Sequence, residues 1–259
     1  SDHPVKPELK EKILLASKQL GYIPNLQARN LKSKKSTSIG IIIPSIANPF
    51  YPSIVRGIED EIVSRNYHMS ISSCDRDKER INYSIENMLA VNVQGIISIY
   101  IDEIPEAMFR LVKRGGVALN VVYNGICIPD MHTIMVDKVE ECELAVQHLL
   151  DLGHKHVAYI APPLTVRQKQ RSKRVEGFMK EFREAGLGDN VVIKAANESI
   201  DKDVPGIDSE YRIGYDLTKE LLAEERALTA IVGLNDMIAF GILDALYDEQ
   251  YKVPGDMSV

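Results

Sequence analysis

No apolar stretch in these 259 residues approaches the roughly 20 needed to cross a bilayer, and the longest runs are short, such as Ile39–Ile43. The opening segment Ser1–Lys12 carries charges but no apolar centre, so it does not read as a secretory leader. Cysteine is scarce. Cys74, Cys127 and Cys142 are scattered, odd in number and without metal-ligand spacing. That excludes a disulfide-framed secreted fold and points to reduced thiols in a cytoplasmic protein. No GxGxxG, P-loop or GxSxG signature occurs, so the usual marks of a nucleotide enzyme or serine hydrolase are missing. We therefore expect no enzyme, no catalytic residue and no cofactor. His154 and His156 form an HxH pair at a strand start, but no third ligand stands near in sequence, so no metal site is expected either.

What is present is an ordinary soluble mix, 45% apolar and 26% charged, long enough for two compact domains. The net charge of −6 is unevenly spread. Residues 1–38 hold seven Lys and one Arg against Asp2, Glu8 and Glu11, a balance of +5, which leaves −11 on the remainder. A basic end on an acidic body suits an arm that binds a polyanion; the plain alternative is a solvated basic tail.

Pro7–Leu20 has helical spacing at Ile13, Leu14, Ser17 and Leu20, with Pro7 at its start and Gly21 as its expected C-cap. Asn25–Leu31 is a second short helix candidate, and Lys32–Ser38 (KSKKSTS) reads as a linker. From there strands and helices alternate. Strands are expected at 38–44, 67–73, 95–100, 117–122, 133–136, 156–160, 191–195 and 230–233. Helices are expected at 50–65, 78–91, 104–114, 139–152, 171–185, 212–223 and 236–248. Such alternation means parallel sheets with helices on both faces. Two units in tandem, divided near Asp151–Gly153, would each bury one sheet, and a ligand would sit between them at the carboxyl ends of strands.

Beyond the alternation, Leu20–Asn25, Asn48–Tyr51, Arg174–Phe178 and Asn235–Gly241 stand in an order and spacing that together resemble the LacI/GalR family of bacterial regulators. Leu20-Gly21-Tyr22-Ile23-Pro24-Asn25 with Ala28-Arg29-Asn30-Leu31 is similar to its LGYxPNxxARxL segment. Ile39-Gly40, Pro44, Asn48-Pro49-Phe50-Tyr51 and Gly57-Ile58-Glu59 resemble the opening of its core. Val93-Gln94-Gly95-Ile96-Ile97, Leu152-Gly153-His154 and Arg174-Val175-Glu176-Gly177-Phe178 resemble its VDGIII, LGH and RxxGF motifs. Asn235-Asp236-Met237-Ile238-Ala239-Phe240-Gly241 and Val253-Pro254 with Asp256, Ser258 and Val259 resemble its NDxxAxG and VPxDxSV motifs. The order and spacing of these segments cover the chain from about Val5 to Val259.

The resemblance implies two tandem doubly wound parallel-sheet subdomains of periplasmic-binding-protein type, preceded by the end of a helical headpiece. The expected division is 1–24 for the headpiece remnant, 25–38 for hinge helix and linker, 39–152 for the first effector-binding subdomain and 153–259 for the second, incomplete one. Family members begin with a helix-turn-helix that reads the major groove, and continue past the VPxDxSV strand, so the chain is expected to be a piece of a longer protein. The implied function is a DNA-binding transcriptional regulator, a repressor, whose operator affinity is controlled by a small effector such as a sugar. Its implied partners are operator DNA, that effector and a second copy of the chain, with no membrane. The alternative is a periplasmic-type sugar-binding protein feeding a transporter.

The resemblance also assigns roles. Leu31 would wedge between base steps in the minor groove, with Ala28 allowing close helix packing and Arg29 reaching phosphate. Arg174 would offer its donor fork to the effector, and Asn235 can both donate to and accept from a hydroxyl. Asp236 is expected to cap the helix that follows. Phe50 is placed at the cleft edge as a stacking face, with core packing as the alternative. Asp137 resembles a cleft-lining aspartate, but here the family's DN pair is Asp137-Lys138 and its small-residue pair is Glu141-Cys142. The neighbouring Arg167, Lys169 and Lys173 are expected to be a solvated face, and the 197–209 loop to be longer than in the family.

Overall fold

The structure is a computed structural model and describes residues 6–23, 36–75, 77–99, 106–122, 131–164, 169–197, 207–224 and 227–259. The hinge residues Ala28, Arg29 and Leu31, the side chains of Arg167 and Lys169 and most of the 197–209 loop lie outside the described residues. The chain divides into two compact units, 1–37 and 38–259.

In the first unit, helix α1 (Pro7–Gln19) starts on proline and carries no buried residue. Gly21 ends it in the left-handed region at φ 62°, and the Tyr22 N–H returns to the Ser17 carbonyl, the closure expected of a glycine at that position.

The second unit holds two parallel sheets. The first is built from β1 (Ser38–Ile43), β2 (His68–Ser73), β3 (Gly95–Ile99), β4 (Ala118–Val122) and β5 (His132–Ile134), in the order β2-β1-β3-β4-β5. Its helices are α2 (Phe50–Ser64), α3 (Lys78–Ala90) and α4 (Glu106–Arg114). The β1 run Ser-Ile-Gly-Ile-Ile-Ile works as a central strand because both of its faces are covered. Ile41 and Ile43 join the core with Tyr51, Val55 and Ile62 of α2, while Ile42 points the other way, to Ile81, Ile85 and Met88 of α3. β5 is shorter than expected and ends at Ile134, so Met135 and Val136 lie beyond the ladder.

The second sheet holds β6 (Val157–Ala161), β7 (Val191–Ala195) and β8 (Ala230–Gly233), in the order β7-β6-β8, all parallel. Its helices are α5 (Lys138–Asp151), α6 (Lys169–Glu184), α7 (Ile207–Ala223) and α8 (Asp236–Asp248). Period-two alternation in β6 sends Ala158 and Ile160 to α7 and α8, and Val157, Tyr159 and Ala161 to α5 and α6. Helix α5 thus packs on the second sheet, through Cys142 and Val146 against Phe178 and Phe182. The expected division at 152/153 falls after this helix, and the chain changes sheets earlier, between β5 and α5. The reason is lateral: α5 follows a strand of one sheet but spends its apolar face on the other.

Two motif glycines have a packing explanation. A Cβ on Gly177 of α6 would lie 3.0 Å from Val139 Cα, and one on Gly241 of α8 would lie 2.0 Å from the Tyr211 carbonyl oxygen. Both positions are where neighbouring helices approach too closely for a side chain.

Candidate functional site

Of the residues singled out from sequence, Phe50, Asp137 and Asn235 follow the carboxyl ends of β1, β5 and β8, and Arg174 lies on α6, the helix after β6. Asn48, two residues before α2, uses its side-chain oxygen to accept the Phe50 N–H at 3.0 Å and its amide nitrogen to donate to Glu210 Oε2 at 3.3 Å. Glu210 belongs to α7 of the second sheet, so this bond ties the two lobes together. Asn235 Nδ2 donates to the same carboxylate oxygen at 3.0 Å. Arg171 NH2 stands 3.9 Å from the other oxygen of Glu210, with the two side chains 10% and 14% exposed.

Asn235 also accepts the Ile238 N–H on its Oδ1 at 3.1 Å and is the N-cap of α8. The expectation that Asp236 is the cap is corrected: Asp236 lies inside the first turn, exposed, while extended backbone at Asn235 aims its side chain at the free amides. One side chain therefore holds both the helix start and the cleft carboxylate.

Arg174, one turn from Arg171 on α6, donates from NH1 to the Leu234 carbonyl at 3.0 Å and from NH2 to Glu141 Oε2 at 3.2 Å. The first of these bonds steadies the backbone next to Asn235. Lys138 closes on the same carboxylate from the start of α5. Its Nζ is 2.8 and 2.9 Å from the two Glu141 oxygens, and its side chain is 2% exposed. Burial pushes the thiol of Cys142 and the phenol of Tyr159, both beside this charge cluster, above their ordinary ranges, so each stays protonated at neutral pH. Asp137 accepts the Val139 and Glu140 N–H groups at 2.9 and 3.4 Å and caps α5.

Phe50 is exposed and set edge-on to the buried Tyr51, with ring centroids 5.4 Å apart, so it is not a core residue. Lys173 is solvent-exposed, as expected. His154 is tied through Nδ1 to Thr229 Oγ1 at 2.9 Å, a turn contact. Among the described residues, no group of three His, Cys, Asp or Glu side chains could hold a metal, and no helix is long and apolar enough to cross a membrane.

Sequence reasoning missed Glu210, and did not single out Arg171, Lys138 or Asn48 as site residues. Glu210 carries no motif, and its neighbours in space are 25 and 162 residues away in the chain. Lys138 did leave a signal, as the departure from the family's DN pair.

Two parallel α/β lobes joined by polar side-chain contacts define the two-lobed binding-protein class of fold. Residues 36–259 match the model for periplasmic binding proteins and the sugar-binding domain of the LacI family. The chain belongs to the LacI family of transcription regulators. It is 30% identical over 257 residues to catabolite control protein A of Priestia megaterium, which covers 98% of this chain and 73% of that protein. It is 29% identical to the ribose operon repressor of Escherichia coli K12 over the whole chain and 74% of that protein. Among solved structures, a LacI-family regulator from Enterococcus faecium with bound ribose superposes at a TM-score of 0.69, with 26% identity over 85% of this chain and 76% of that one. The lac repressor dimer bound to operator and the anti-inducer ONPF shares the fold at a TM-score of 0.79, with 24% identity over 99% of this chain and 74% of that one. The named full-length relatives are transcription regulators rather than transport-side binding proteins or enzymes.

Proposed function

We propose that this regulator is a cytoplasmic repressor whose operator affinity is set by a small effector, a sugar or sugar derivative, held between the two lobes. The observation that carries the reading is the continuous polar path from Asn48 in one lobe through Glu210 to Asn235 and on, by the Leu234 backbone, to Arg174. A ligand that contacts both ends of this path changes the relation of the lobes and shifts the equilibrium between DNA-binding states. In this reading Arg174 and Asn235 bond the effector, Phe50 gives it a stacking face and Asp137 lines its rim. The ribose in the Enterococcus faecium relative supports a sugar as the effector class.

Operator DNA is met by the hinge, with Leu31 as the wedge and Ala28 and Arg29 beside it, in a homodimer. A dimer is required because a single hinge arm contacts too little DNA, and the exposed Phe240 and Tyr247 on α8 give an apolar surface suited to a second copy. Leu31→Ala is expected to lower operator affinity in a gel-shift titration and to leave effector affinity unchanged. Equal operator binding would remove the wedge role.

The test of the effector site is a thermal-shift screen against sugars, sugar phosphates and nucleobases. A ligand that binds only the folded state raises the melting temperature, by a free energy of about 2.7 kcal/mol at a hundredfold excess over Kd. Arg174→Ala and Asn235→Ala are each expected to abolish that rise. A rise that survives both substitutions would place the effector elsewhere.

A further inference from the structure

We propose that Glu141 is a specificity-determining residue: an internal carboxylate that occupies the anion-binding position of the cleft and keeps phosphorylated or carboxylated ligands out. The proposal rests on the reading that the cleft around Arg174 is the effector site. It goes beyond that reading by naming what sets the charge of the ligand.

The geometry is that of a bound anion. Glu141 accepts from the Arg174 guanidinium on one oxygen and from the Lys138 ammonium on both. Two cations converging on one carboxylate is how a protein holds a ligand's phosphate or carboxylate, with charge-assisted bonds in a place of reduced dielectric. Here the acid comes from the chain itself, three residues along α5 from Lys138. Lys138 is buried, so its charge needs a counter-charge nearby, and Glu141 provides it. The carboxylate is the most accessible of the three, 38% exposed against 21% for Arg174 and 2% for Lys138, so a ligand arriving from solvent meets it most readily. The second arginine of α6 repeats the arrangement, since Arg171 faces Glu210. An anionic ligand would have to displace Glu141 and leave it close to its own charge. An uncharged ligand pays neither cost.

The test is Glu141→Gln in the whole chain, titrated calorimetrically with inorganic phosphate, glucose 6-phosphate and glucose. Glutamine keeps the size and an acceptor oxygen but removes the charge. Binding of glucose 6-phosphate is expected to tighten at least about tenfold over the native protein, the gain of one charge-assisted bond. Adding Arg174→Ala should cancel the gain. If the single variant does not fold, Lys138→Gln with Glu141→Gln removes the buried ammonium too and is expected to show the same gain through Arg174. A folded variant that binds glucose 6-phosphate no better than the native protein overturns the proposal, as does a gain that persists without Arg174. The native protein's response to glucose is read separately: if glucose and its relatives never bind, the sugar-effector reading fails, while a phosphate gain in Glu141→Gln would still stand.

Discussion

Gly241→Ala is expected to destabilise the protein by about 3 kcal/mol or more, a large loss for the addition of one methyl group. The cause is the approach of α7 and α8. A Cβ at Gly241 would sit 2.0 Å from the Tyr211 carbonyl oxygen and 2.7 Å from the Tyr215 nitrogen; one at Gly214 would sit 2.1 Å from the Ile238 carbonyl oxygen. These neighbours are backbone, which cannot rotate away. Carbon and carbonyl oxygen settle near 3.3–3.6 Å, so the helices would have to part by roughly 1 Å or more. Parting them opens the core of Ile213, Leu221, Ile238 and Ile242, all essentially sealed from solvent. It would also stretch the bonds that lace the outer side of the pair, from Tyr211 to Asp244 at 2.5 Å and from Tyr215 to Asp248 at 2.7 Å. Alanine's better helix propensity offsets only about 1 kcal/mol of this. Gly57 in α2 is the control. A Cβ there meets nothing within 4 Å, so Gly57→Ala should gain up to about 1 kcal/mol. Urea midpoints of the two variants should move in opposite directions. A Gly241→Ala protein as stable as the native one would mean that the helices are not this close.

The same glycine shows what the sequence could and could not disclose. Its place in Asn235–Gly241 was legible as part of a motif, but the reason for it lies outside the motif: the backbone of Tyr211 and Tyr215 on α7, 30 and 26 residues earlier in the chain, passes too close for a side chain. The alternation of strands and helices was legible because hydrophobic period is a local property. Val157–Ala161 reads as a strand wherever it lies, and both its faces are in fact buried. Strand and helix limits moved by a few residues, as with β5 ending at Ile134, because ladder ends depend on the partner strand. Helix α5 was legible as a helix, but its packing on the second sheet was not, since period says which face is apolar and not which sheet it meets. Arg174 and Asn235 were singled out by motif, and Arg174 donates to the carbonyl of Leu234, the residue before Asn235. Glu210 was invisible. Its role comes wholly from three partners far off in the chain, and a lone glutamate near a helix start is otherwise read as a favourable charge at the dipole.

Glu210→Ala should lower stability by about 2–3 kcal/mol, although it removes a polar side chain near a cleft. The carboxylate accepts from Asn235 and from Asn48, and it faces the buried Arg171 at 3.9 Å. Truncation takes acceptors from two amides and a counter-charge from a guanidinium whose side chain is 10% exposed. The figure stays below the 3–5 kcal/mol typical of a broken buried pair because the arginine contact is long and Arg171 also donates to the Pro163 carbonyl at 3.4 Å. Glu210→Gln keeps one acceptor and should lose less. The informative measurement is a double-mutant cycle with Asn48→Ala. Asn48 lies on the first lobe and Glu210 on the second, so a coupling of about 0.5–1 kcal/mol between them would report the bond that ties the lobes. Strictly additive effects would mean that Glu210 acts only within its own lobe, through Asn235 and Arg171. With coupling present, this bond is what an effector entering the cleft must break or replace, and Glu210→Ala should then change effector affinity as well as stability.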